Sequence, residues 1–503
     1  MRTRTLTGLS AIPLVLGLTA GQVALAAPAL AHGDGDVATN TRAAQVEQQG
    51  DGRRMQHVAN LQYDDSGKAQ NGSDIEFVTL GQRDFALAGT LRKGLQIIDI
   101  TQPRDPRRVA VFDCDISQGD IQVWKTRSRV LASYTADGSV GTAGAASQCG
   151  TDLGLEAGDA GTVLVDLTTP SQPRSVSFLP VPQGSHNMTL HPSGDYLYNS
   201  NSDLYGKDVT PNVTIYDVRN PDDPKQVQEY ELPFTPGSLG TESHDITFSE
   251  GGGRAYVAAL SQTLVLDTSD PAEPRLVSKI VDPAINVVHQ SDPVRVQRPD
   301  GSWRELLIIT DERAGAAASA ECPGGGLHVY DVTGRKERAP EKVGTWFIPA
   351  ATVQAGATCT SHVLRVYPKQ EMMSVAWYAQ GVRVLDISGL ATVEGSSTTI
   401  GIGNGVGMRE VGNYVFEDSD TWSFKTNRIK RDGSFFGYGN DLVRGFDVYR
   451  FDGFRNQTVE PLVPRDIAPR STGGTDARSL VPLAVLVPAL VTAGLLRRRS
   501  RSA

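Results

Sequence analysis

One phrase recurs along this chain, and it limits the fold more than any other feature. It reads LQIIDITQPRDPRRVAVF at Leu95–Phe112, VLVDLTTPSQPRSVSFL at Val163–Leu179, TIYDVRNPDDPKQVQEY at Thr214–Tyr230 and LVLDTSDPAEPRLVSKI at Leu264–Ile280. A looser copy follows at Leu327–Trp346. VRVLDISGL (Val382–Leu390) reads as a sixth copy whose second half is lost, and GFDVYRFDG (Gly445–Gly453) as a degenerate seventh. Each well-kept copy is an apolar strand ending in Asp, a Pro-containing turn and a second strand. Those Asp side chains (Asp99, Asp166, Asp217, Asp267, Asp331, Asp386) can accept hydrogen bonds from their own turn, so they are expected to shape turns rather than do chemistry. Two further strands precede each copy, as in HNMTL and DYLYNS. Four antiparallel strands repeating at roughly 45–70 residues are the size of a propeller blade.

Seven such units fit between residues 55 and 453. The expected fold is all-β: a seven-bladed β-propeller of four-stranded antiparallel blades. The seventh unit, Thr421–Phe451, supplies only three strands. MQHVANLQY (Met55–Tyr63) has no partner of its own and is expected to complete that blade, because an unclosed edge would leave backbone groups unpaired. The abundance of Gly (52) and Pro (28) suits many turns between short strands.

The repeated phrase resembles the LVIVD repeat of secreted bacterial and archaeal β-propellers, over about Ile75 to Phe451. That resemblance implies the fold and an exported protein. It implies no activity, because propellers host unrelated chemistries.

Both ends read as targeting segments. Residues 1–31 have a basic start, an apolar middle and Ala-x-Ala sites, the pattern of a signal peptide. Residues 32–54 are expected to be disordered, and 454–479, rich in Pro, Gly, Ser and Thr, to form a flexible stalk. Residues 480–496 are uncharged and just long enough for a transmembrane helix. The Arg-rich tail 497–503 would then lie in the cytoplasm, with the body on the outer face of the membrane. A net charge of −9 and the lack of a basic stripe argue against a nucleic-acid partner. The expected partners are an extracellular protein, a glycan or a small ligand, met by a monomer.

Export implies an oxidising compartment, so Cys114, Cys149, Cys322 and Cys359 are expected in two disulfides. Sequence alone allows three pairings. Cys114 and Cys359 fall between blades, while Cys149 and Cys322 fall in long loops between second and third strands. Pairing Cys114 with Cys149 and Cys322 with Cys359 would tie the insertions 135–160 and 311–326 over one face.

The residues before each first strand carry the functional signal. They are Ser73-Asp74, Gly119-Asp120, Ser185-His186, Ser243-His244, Val288-His289, Ser361-His362 and Ser419-Asp420. First strands are innermost in a propeller, so these positions should ring the channel mouth. The expectation is an arc of His186, His244, His289 and His362 facing an arc of Asp74, Asp120 and Asp420. TDER (Thr310–Arg313) could add Asp311 and Glu312. Neutral imidazoles are common transition-metal ligands, and His without thiolate suits Cu, Zn or Fe. The His pattern is similar to that of the selenium-binding protein/methanethiol oxidase propellers. That resemblance implies a copper-type site, although no motif matches residue by residue and no cysteine is left free. The plainer reading is a polar, wet channel lining. His191 is expected to be structural in a hairpin on the opposite face, His57 an edge residue and His328 a strand residue. Two functions follow: a binding or scaffold module working through its disulfide-tied face, or a metal-dependent extracellular enzyme.

Overall fold

The structure, a computed structural model, describes residues 50–64, 66, 69–201, 212–235, 240–313, 322–349 and 358–454. The expected signal peptide, stalk, membrane anchor and basic tail lie outside these residues, apart from residue 454 itself. Among the described residues no helix is long and apolar enough to cross a membrane.

The strands form a seven-bladed β-propeller. Blade one is Gly72–Leu80, Arg83–Thr90, Leu95–Asp99 and Arg107–Phe112. Blade two is Gln118–Lys125, Val130–Ala136, Gly161–Asp166 and Arg174–Pro180. Blade three is Ser185–Leu190, Tyr196–Asn201, Asn212–Asp217 and Lys225–Glu231. Blade four is Asp245–Phe248, Arg254–Ala259, Gln262–Asp267 and Arg275–Ile280. Blade five is Val287–Gln297, Trp303–Glu312, Leu327–Asp331 and Glu341–Phe347. Blade six is Leu364–Tyr367, Met372–Ala376, Val382–Asp386 and Met408–Phe416. Blade seven is Thr421–Lys425, Phe435–Asp441, Gly445–Phe451 and, from the other end of the chain, Met55–Leu61.

The recurring phrase forms the two outer strands. Its first strand is apolar on both faces because each blade is covered by a neighbour on either side. Ile97, Phe112, Ile121 and Val163, for instance, join blades one and two in one buried cluster. All six repeat Asp residues shape their turns. Asp99, Asp166, Asp217, Asp267, Asp331 and Asp386 each accept from the backbone N–H two residues on, at 2.8–3.0 Å.

Three elements differ from expectation. Blade six has not lost its outer strand. The chain leaves after Asp386, makes a long excursion and returns as Met408–Phe416. Within that excursion GIGNGVG, which reads as a loop, holds a small hairpin of Ile400–Ile402 and Asn404–Gly405. Ile400–Ile402 lies parallel to Glu341–Phe347, so blades five and six join into one sheet. Second, Gly50–Arg53 is not disordered but pairs with Met408–Phe416. The N-terminal stretch therefore crosses from the edge of blade six to the edge of blade seven. Third, the 135–160 insertion folds into two short helices, Thr142–Ala146 and Gln148–Leu153.

Cys114 pairs with Cys149, and Cys322 with Cys359. Two disulfides fit an oxidising environment.

Candidate metal centre

The inner strands build the site. Counting back from the apolar residue on each (Ile75, Ile121, Met188, Ile246, Leu364, Phe424) gives one equivalent place two residues earlier. In blades three, four and six it holds His186, His244 and His362. In blade five it holds His289. The hydrogen-bond register slips at His186 and at His289, which are bulged out of their ladders. A bulge re-aims a side chain, and here neighbouring blades aim imidazoles at one another. Ring centroids lie 4.1 Å apart for His186–His244, 4.3 Å for His244–His289 and 4.1 Å for His289–His362. All four are at most 3% exposed.

The arc is not completed by carboxylates. At the same register place blades one, two and seven hold Ser73, Gly119 and Trp422. Blade two could not supply a ligand there. Gly119 has φ +69°, and a Cβ on it would lie 2.9–3.0 Å from Thr90 backbone atoms. Trp422 packs edge-on against His362 with centroids 4.7 Å apart. Asp74 and Asp120 line the channel one residue further along their strands, with Asn187, Asp245 and Gln290. Asp420 precedes its strand and is outside that lining; its backbone N–H donates to Asp441. Aligning Ser73-Asp74, Gly119-Asp120 and Ser419-Asp420 with the pairs that end in His is therefore the wrong register for the three carboxylates.

The carboxylate that meets the histidines is Glu312, at the end of the second strand of blade five. Its Oε2 lies 4.0 Å from His244 Nε2 and 3.9 Å from His289 Nε2, and its Oε1 lies 3.7 Å from His362 Nε2. The Tyr378 hydroxyl donates to Oε1 at 2.7 Å. Ligand atoms of His244, His289 and Glu312 all fall within 4.8 Å of one another. Asp311, named beside Glu312 by the sequence, faces elsewhere and accepts from the Asn286 N–H at 2.7 Å. Adjacent strand residues point to opposite sides, so only one of the two can enter the channel.

The imidazoles are oriented from behind. His244 Nδ1 donates to the His289 carbonyl at 3.1 Å, and His362 Nδ1 to the Trp422 carbonyl at 2.6 Å. A carbonyl can only accept, so in both rings the proton sits on Nδ1 and the Nε2 lone pair faces Glu312. Burial, with the neighbouring imidazoles, holds His244 well below its ordinary value, and burial takes His362 down to about 3. Both are neutral. Burial pushes Glu312 up to about 8, against the hydrogen bond from Tyr378. His186 stands at the end of the arc, with Nδ1 3.0 Å from Asp137 Oδ1 and Nε2 3.3 Å from the Gln118 amide nitrogen.

This donor set fits a transition ion. Metal–ligand bonds near 2.1 Å put tetrahedral ligands about 3.4 Å apart. The 3.9–4.0 Å gaps from Glu312 Oε2 to His244 and His289 close with side-chain shifts of a few tenths of an ångström, whereas His362 faces the other oxygen, Oε1, and stands outside that three-residue group. Outer hydrogen bonds that fix the tautomer are what ligating histidines require. Such an ion could polarise a substrate or activate water.

Among the described residues the remaining histidines sit apart from the centre. His191 closes a hairpin, with Nε2 2.8 Å from the Gly252 carbonyl. His57 lies on the closing strand, 2.7 Å from Asp447. His328 lies on Leu327–Asp331, with Nδ1 2.9 Å from Lys342 Nζ. Sequence reasoning missed Tyr378 and Trp422. Aligning on the buried apolar residue would have found Trp422; Tyr378, in the turn Trp377–Gly381, carries no such signal.

No family model matches this chain, and no curated protein matches it. Solved structures do. A gluconolactonase of the Pseudomonas aeruginosa periplasm is similar at 13% identity over 74% of this chain and 94% of that one, with a TM-score of 0.46. The Cps50 (Swd1) β-propeller domain of Myceliophteria thermophila is similar at 8% identity over 75% and 96%, TM-score 0.45. A protein of unknown function from Desulfotomaculum acetoxidans is similar at 15% identity over 65% and 87%, TM-score 0.41.

Proposed function

We propose that this chain is an exported propeller of the LVIVD type that holds one first-row transition ion at His244, His289, His362 and Glu312, and that this ion is its working centre. The observation that carries the reading is the convergence of three Nε2 atoms on one buried carboxylate, with Nδ1 of two rings turned to backbone carbonyls. Three imidazoles and a carboxylate suit Zn, Fe or Cu, and either Lewis-acid or redox chemistry follows from which is bound. Export and anchoring rest on the two terminal segments of the sequence and agree with the two disulfides.

A second reading is a binding or scaffold module in which the ion only pins the blades together. Burial favours it, since Glu312 and its three imidazoles are each at most 3% exposed. Closed coordination marks structural ions, and an open position marks catalytic ones.

The test uses the full chain, made in an oxidising compartment. Elemental mass spectrometry should find about one ion per chain, lost in a His244→Gln/His362→Gln variant that still folds. Cobalt-loaded protein should then change its visible spectrum when azide is added, as an open position requires. An unchanged spectrum would favour the structural pin. Absence of any ion after reconstitution would remove both readings of the centre.

A further inference from the structure

Beyond the histidines the channel widens into a chamber of about 280 Å³. Its walls are the inner strands, read two residues at a time. The upper rung is Asp74, Asp120, Asn187, Asp245 and Gln290; the lower is Glu76, Gln122, Thr189, Thr247, Asp292, Arg365 and Lys425. It extends to Pro192, which is exposed in the blade-three hairpin, at the end opposite the histidines.

The charges here do not balance. Lys425 Nζ bonds Asp74 Oδ1 at 2.5 Å and Glu76 at 3.0 Å, and Arg365 pairs with Glu76. Both cations are thereby spent on one side of the chamber. Asp120, Asp245 and Asp292 have no cation in hydrogen-bond contact. Among the described residues the Asp120 carboxylate accepts a backbone N–H, from Met188 at 3.2 Å, and no side-chain donor. Asp292 accepts from Thr247 at 2.7 Å and Gln290 at 3.0 Å. The second oxygen of Asp74, buried in the same wall, has no hydrogen-bond partner. Buried carboxylates without a counter-charge are costly unless protonated or paired. Burial does hold Asp120 well above the ordinary carboxylate range, and Asp292 is raised for the same reason.

We infer that this chamber binds a small organic cation with two amino groups, held between Asp120 and Asp245 on one rung and Asp292 on the other. A bare metal ion is disfavoured by spread. Among the described residues the one metal-sized convergence of ligand atoms is His244, His289 and Glu312, not the chamber acids. The volume also exceeds an ion's needs, at about nine times the roughly 30 Å³ share of one water. Rungs two residues apart on a strand are separated by about 6.7 Å, the span of a four-carbon diamine. The amide and hydroxyl groups of Asn187, Gln290 and Thr189 can accept the remaining N–H groups.

The test is calorimetric titration of the full chain, both as purified and stripped of metal, with 1,4-diaminobutane. Saturable binding of one molecule is expected, weakened at least tenfold in Asp120→Asn/Asp292→Asn. Circular dichroism checks folding, and Asp120→Asn alone, with a severalfold loss, serves if the double variant does not fold. Calcium should compete poorly. No binding by the folded wild-type chain, undiminished binding by the variants, or preference for calcium would each overturn the inference. Equal affinity is expected with and without metal, which keeps this inference separate from the proposed metal centre.

Discussion

Glu76 shows how one buried residue can report on its surroundings. Burial alone would raise it, but Arg365 and Lys425 outweigh burial and hold it down at about 2. A carboxylate depressed in the folded state contributes stability above its ordinary value near 4.5, and that contribution is lost as pH falls toward 2. Glu76→Gln should therefore be less stable than wild type at pH 7, by at most about 3 kcal/mol. The gap should narrow between pH 4.5 and 2, as urea unfolding at several pH values would show. A constant gap across that window would assign the loss to packing instead. At this scale the sequence was partly legible. The four histidines could be found because each lies at or just before the start of an inner strand, three of them two residues ahead of its buried apolar residue. The choice of Glu312 over Asp311 could not, because it depends on the phase of a strand whose last residues meet a bulge at His289. Asp74 and Asp120 lie at separate register slips in their own strands, between Gly72 and Ile75 and between Gln118 and Ile121, and line the chamber rather than the arc.

The closing strand is the element on which the ring depends. Met55–Leu61 covers an edge of Gly445–Phe451 that would otherwise be open. Met55 anchors it, 3% exposed among Phe416, Phe435, Tyr449 and Phe451. Met55→Ala should cost about 2–5 kcal/mol, the range for emptying a well-packed Met site. Guanidinium unfolding would measure it, and a loss under 1 kcal/mol would mean that the strand is held by its ladder alone. This strand was legible because it had strand character and no neighbour in sequence. The outer strand of blade six was not. Its pairing partner, Val382–Asp386, is separated from it by the excursion through Gly407, and MREVGNYVF lacks the Pro turn that marks the other copies.

The seven blades are not fastened equally. Cys114–Cys149 fixes the linker after blade one to blade two, and Cys322–Cys359 fixes blade five to the linker before blade six. The Ile400–Ile402 hairpin joins blades five and six, and the N-terminal stretch joins six and seven. Among the described residues blades three and four have no disulfide or shared strand to either neighbour, and blade three also lacks the Leu260–Val288 bridge that ties four to five. Its joints rest on packing and on bonds such as Arg129 to Asp222 and His191 to Gly252. Local opening follows such differences. Amide hydrogen exchange should therefore be faster in Tyr196–Asn201 than in the equally buried Trp303–Glu312, and equal protection would count against it. His186 and His244 are carried on blades three and four, neither of which has a disulfide or shared strand among the described residues, whereas His289 and His362 stand on the fastened blades five and six. Mechanically, the centre is a chuck with two fixed jaws and two sliding ones. The imidazoles of blades three and four can advance on an ion or withdraw from it while the grip of the other two stays set.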